Sequence, residues 1–78
     1  MIKTIKINPG TGETNSDGDK ILATATVTLE CGAILTGIEV IRTDRDETKV
    51  SRDSRPLFTT KEIRRDFCAK IVSAYQAA

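Results

Sequence analysis

The run Lys20-Ile21-Leu22-Ala23-Thr24-Ala25-Thr26-Val27-Thr28-Leu29-Glu30 decides the fold. Successive side chains of a strand point to opposite faces. Ile21, Ala23, Ala25, Val27 and Leu29 therefore share one face, and Thr24, Thr26, Thr28 and Glu30 the other, a pattern that a helix would scatter. Cys31-Gly32 follows as a two-residue connection, and Ala33 to Arg42 supplies a second β-rich run. Counting outward from that turn sets Leu29 opposite Ile34, Val27 opposite Thr36, Ala25 opposite Ile38 and Ala23 opposite Val40. The return strand is thus expected to turn Ile34, Thr36, Ile38 and Val40 toward the core, as a hairpin with one buried face demands. The alanines leave room for something bulky to cover them, which a helix would supply.

The flanking segments fit that frame. Ile2 to Ile7 alternates and is stopped by Asn8-Pro9-Gly10, which predicts a short edge-type strand. From Gly10 to Asp19 the chain has no periodicity, which predicts a mobile connection. Asn15, Asp17 and Asp19 imitate the opening of a calcium loop, but Lys20 and Thr26 stand where its glycine and closing glutamate belong, so calcium is not expected. Glycines 10, 12 and 18 fail the phosphate-loop spacing as well. Arg42 to Arg55 has Val50 as its only aliphatic residue and reads as a charged connection with a short exposed strand near Thr48 to Ser51. Thr59 and Glu62 have capping-box spacing, with Phe58 placed to staple onto Ile63, and a helix begins there. At 100° per residue Ile63, Phe67, Cys68, Ile71, Ala74 and Tyr75 gather on one side of it. The expected fold is α+β: one domain over residues 1–78, with a small antiparallel sheet (N-terminal strand plus long hairpin) packed against one C-terminal α-helix.

Size makes that domain marginal. A chain of 78 residues and 8.5 kDa should expose about 4,600 Å² when folded. Apolar burial then contributes on the order of 115 kcal/mol against roughly 120 kcal/mol for ordering the chain. A second copy is therefore expected on physical grounds. Leu, Ile, Val and Phe number 19 of 78 residues at a net charge of +1, too apolar for a disordered chain. No apolar run is long enough to span a bilayer and Met1 opens no basic-then-apolar leader, so a cytoplasmic location without membrane contact is expected. Cys31 and Cys68 are too few for a disulfide scaffold and are expected to be reduced thiols.

Catalysis finds little support. The chain has no histidine, and Asp44, Asp46 and Glu47 alternate with Arg42, Arg45 and Lys49, which reads as a solvated loop with local ion pairs. No enzyme activity, metal, cofactor or small-molecule substrate is expected. Charge placement says more. Residues 1–41 carry three basic and five acidic side chains, and residues 42–78 carry nine and six. Between 49 and 70 the count is seven basic against three acidic, four of the seven being arginine, whose planar fork suits phosphate oxygens and guanine edges. The candidate nucleic-acid contacts are Lys49, Arg52, Arg55, Lys61, Arg64 and Arg65, at a loop and a helix start whose amides also favour anions.

With the hairpin and capped helix in view, the chain resembles the SpoVG family, the stage V sporulation and septation regulators of bacteria. The likeness is clearest over Ala23-Thr24-Ala25-Thr26-Val27-Thr28-Leu29-Glu30 and Ile34-Leu35-Thr36-Gly37-Ile38-Glu39-Val40-Ile41. It resumes at Arg55-Pro56-Leu57, where the family has His-Pro-Ile, and runs to Tyr75. The family's central strand, with its Gly-Leu-Phe-Val and Met-Pro-Ser segment, is replaced here by the charged Thr43 to Ser54, so the chain looks like a shortened relative. The resemblance implies a homodimeric regulator of septation or sporulation type that binds DNA or RNA through basic residues of the loop and helix start. The competing expectation is a protein-interaction module that pairs through a sheet edge without touching nucleic acid.

Overall fold

The computed structural model describes residues 2–78. Four antiparallel strands run in the order β1 (Ile2–Pro9), β2 (Lys20–Leu29), β3 (Ile34–Arg42) and β4 (Thr48–Val50), followed by α1 (Lys61–Ala77). This is the expected α+β architecture with a short fourth strand on the far edge. Among the described residues no helix is long and apolar enough to cross a membrane.

The alternation of β2 sets the layers. Ala23, Ala25 and Val27 are fully buried and meet Ile38 and Val40 of β3, Val50 of β4, and Phe67 and Ile71 of α1 in one core. Ile5 and Ile7 of β1 pair with Val27 and Ala25 and pack on the edge of that core. Helix α1 approaches the sheet over β4, β1 and β3, and Phe58 tilts onto Phe67 with ring centroids 5.0 Å apart, a favoured aromatic geometry.

Half of the expected register survives. Ala25 pairs with Ile38 and Ala23 with Val40, as counted, but Val27 pairs with Leu35 and Thr28 with Ile34. The turn is the cause. The Gly32 N–H donates to Leu29 O and the Leu29 N–H to Ala33 O, which closes a three-residue loop, Glu30-Cys31-Gly32, rather than a two-residue one. One added loop residue moves the pairing by one. The offset is absorbed between Ala25 and Val27, where Thr36 and Gly37 both oppose Thr26 and Gly37 takes a φ of 68° that a side chain would resist. Leu35 consequently packs toward the core, while Ile34 is 62% exposed and Thr36 lies outside. Both had been expected to face inward.

Three further expectations are corrected. The segment before β2 is tied down rather than loose: Thr14 bridges Lys20, the Ile21 N–H donates to Glu13 O, and the Gly10 N–H donates to Leu22 O. The short strand β4 is not an exposed one, since Val50 is 4% and Ser51 2% exposed. Thr60, not Thr59, caps α1, with an extended backbone and its Oγ1 accepting from the Ile63 N–H at 3.2 Å. Phe58 stacks on Phe67 one turn further along, and Ile63 is left 36% exposed. Arg42 pairs with Asp46 at 3.5 Å in the β3–β4 turn, a local ion pair of the kind read from the sequence.

Candidate nucleic-acid interface

Strand parity divides the six candidate cations. Val50 turns into the core beneath α1, so its neighbour Lys49, which pairs with Ile41, turns to the opposite face of the sheet. There Lys49 and Arg52 line a cleft with Asp17 and Asp19. Arg55, Lys61 and Arg64 line a different cleft, about 210 Å³ in volume, at the amino end of α1. The sequence window had grouped all six, and the sheet separates two of them from the rest.

The cleft at the helix start is built from the segment that leads into α1. Leu57 is fully exposed on its rim, Phe58 anchors its floor to Phe67, and Thr60 closes the first turn. Arg64 stands three and seven residues before Phe67 and Ile71, so it extends the buried stripe and is half-buried itself. Lys61 and Arg65 are exposed on the same end of the helix, and Arg55 is half-buried across the cleft.

The cleft lining is cationic, although Glu62 stands in the same first turn of α1 outside that lining. No carboxylate lines the cleft. Free amides of the first helical turn add partial positive charge. Further along α1, Lys70 holds Asp66 at 2.9 Å, which occupies that carboxylate with a partner other than Arg65. Three cations converging on one concave surface can grip a phosphate or a run of phosphodiesters, with Arg65 placed for a neighbouring group. Among the described residues no group of three or more metal-ligating side chains gathers, and both cysteines are free.

No family model, curated protein or solved structure matches the chain. The fold and the two clefts therefore carry the functional argument.

Proposed function

We propose that the protein is a cytoplasmic nucleic-acid-binding regulator, a shortened relative of the SpoVG type, that acts as a homodimer and meets the phosphate backbone of DNA or RNA through Arg55, Lys61, Arg64 and Arg65. The observation that carries this reading is the carboxylate-free cleft at the start of α1, where cations from two sequence segments converge. Lys49 and Arg52 are left out of the contact set, because Asp17 and Asp19 share their cleft and repel a polyanion.

Dimerisation finds support in area. The single chain exposes 5266 Å², roughly 600 Å² above the surface expected of a monomer this size. Free thiols on an exposed and a half-buried cysteine suit a reducing compartment. Fluorescence anisotropy against a labelled duplex tests the reading. With about four phosphates neutralised per docking surface, log affinity should fall with log salt at a slope near −3.6, about a hundredfold between 50 and 200 mM. Absence of binding at low salt, for DNA and RNA alike, overturns it.

A second reading rests on the sheet. Strand β4 pairs only with Val40, Ile41 and Arg42. The outer edge of β3 from Ile34 to Ile38 is uncharged, has no ladder partner among the described residues, and carries the 62% exposed Ile34. Such an edge invites a strand from a protein partner. Protein association that ignores salt and is abolished by Thr36→Pro, with no oligonucleotide binding, selects this reading.

A further inference from the structure

The cleft on the open face of the sheet differs in kind, and we propose that it binds a small zwitterion of the amino-acid class, with an ammonium group at one end and a carboxylate at the other. Its volume is about 310 Å³, within the range of small-molecule sites. The connection before β2 lines it with Asp17 and Asp19 as an acidic wall, β4 and the residues after it line it with Lys49, Ser51 and Arg52, and β3 adds the aliphatic Ile41.

Charge balance selects the ligand class. Two carboxylates and two cations line the space. The ion pairs between described side chains lie elsewhere, Arg42 with Asp46 and Lys70 with Asp66, so the four groups do not neutralise one another directly. An anion alone is repelled by the aspartates, and a cation alone by Lys49 and Arg52. A molecule bearing both signs satisfies both walls: the Arg52 fork and Lys49 take its carboxylate, and the aspartates accept hydrogen bonds from its ammonium group.

Ser51 adds a hydroxyl donor to the cleft. It is 2% exposed, its N–H donates to Glu39 O, and its carbonyl accepts from Ser54 Oγ. Its own hydroxyl makes no hydrogen bond among the described residues. Buried hydroxyls normally have a partner. Among the described residues no sealed side-chain oxygen or nitrogen lacks one, so the Ser51 hydroxyl is reached from the cleft it lines and can donate to a ligand there. The ligand carboxylate supplies the acceptor.

The acidic wall is organised in advance. Asn15 Oδ1 accepts from the backbone N–H groups of both Asp17 and Asp19 at 3.0 Å each, and the Asn15 N–H donates to Asp19 O at 2.9 Å. Fixing that loop before binding lowers the ordering cost of binding. A zwitterion ligand departs from the sequence-based expectation of no small-molecule partner, because the lining residues come together only in the folded sheet.

Titration of the ¹⁵N-labelled full chain with glycine, β-alanine and 4-aminobutyrate tests the proposal, since the three carry the same ends at growing separation. At least one should shift the amides of Asp17, Asp19, Ser51 and Arg52 saturably, with a dissociation constant of about millimolar order. Acetate, methylammonium and inorganic phosphate should each bind at least about tenfold more weakly, because each satisfies one wall and leaves or repels the other. Arg52→Gln should weaken the best zwitterion about tenfold, and Ser51→Ala several-fold with its backbone hydrogen bonds intact. Three silent zwitterions, a single-charge probe binding as tightly as the best of them, or unchanged affinity in both variants overturns the site. Oligonucleotide binding is read separately and is not altered by any of these outcomes.

Discussion

The cleft at the start of α1 and the cleft beneath the residue 10–19 connection lie on opposite faces of one four-stranded sheet, and each is lined by lysine and arginine. Only the second is also lined by carboxylates, which arrive from a segment some thirty residues earlier in the chain. Local charge counts therefore mislead across a sheet. With screening acting over roughly 8 Å at physiological salt, the potential that a ligand meets is set by what the topology brings within that distance. The two clefts also hang on different supports. The cationic one depends on α1 being clamped by Phe58 and Phe67, and the mixed one on the connection lying flat against β2.

Removing those supports separates the clefts. Phe67→Ala deletes a ring that is 1% exposed and stacked on Phe58, which should cost about 3–5 kcal/mol. In a domain this small, that leaves little cooperative structure, and a thermal melt followed by circular dichroism should lose its sharp transition. A melting temperature unchanged from the parent would show that the clamp lies elsewhere. Gly10→Ala acts on the other face. A Cβ at Gly10 would stand 2.6 Å from the backbone carbon and oxygen of Leu22, atoms that cannot turn aside. The expected loss is about 1–3 kcal/mol, or very roughly 4–8 °C of melting temperature per kcal/mol. Amide shifts should concentrate at Asp17 and Asp19 and spare Lys61 and Arg64; spread through α1, they would break the separation.

What the sequence made legible follows the same division. The layers were readable because β2 alternates from Ala23 to Val27, which fixes the buried face there. Before Ala23 a second register shift sets Ile21 opposite Ile41, on the face of Lys49, rather than with the core alanines as expected. Register near the turn was not readable, because a two-residue and a three-residue loop both accommodate Cys31-Gly32. A signal was present: Ile34 and Leu35 are adjacent apolar residues and Gly37 interrupts the strand, which together mark a bulge. The basic stretch was legible as a count but not as a surface. Val50, the lone aliphatic in its segment, already implied by parity that Lys49 faces away from the helix. Nothing in the sequence joined Asp17 and Asp19 to Arg52, since only the order β1-β2-β3-β4 and the folded-back connection bring them together.

Charge removal sharpens the comparison at smaller cost. Gln in place of Arg55, Lys61 and Arg65 should lower the salt slope of oligonucleotide binding by about 0.9 for each cation that contacts DNA. The triple variant should bind roughly tenfold or more weakly in moderate salt. Lys49→Gln with Arg52→Gln should leave slope and affinity where they are, because those cations face the aspartates. Equal losses in the two variants, measured by anisotropy at several salt concentrations, would merge the clefts into one surface.

The smallest effect is local to the helix start and tests which threonine builds it. Thr60 has the extended backbone of a cap, and its Oγ1 satisfies the Ile63 N–H, which otherwise has no partner within the helix. Thr60→Ala should therefore cost about 1 kcal/mol, whereas Thr59→Ala, at an exposed side chain without a capping bond among the described residues, should cost close to nothing. Thermal melts of the two single variants read the difference. Because Lys61 is the first residue of the turn that Thr60 closes, loss of the cap also loosens one wall of the cationic cleft, and oligonucleotide affinity should fall slightly in Thr60→Ala and not in Thr59→Ala. The amides of Asp17 and Asp19, across the sheet, should keep their positions in both. A reversed order, with Thr59→Ala the more damaging, would move the helix start by one residue and turn Lys61 and Arg64 away from Arg55.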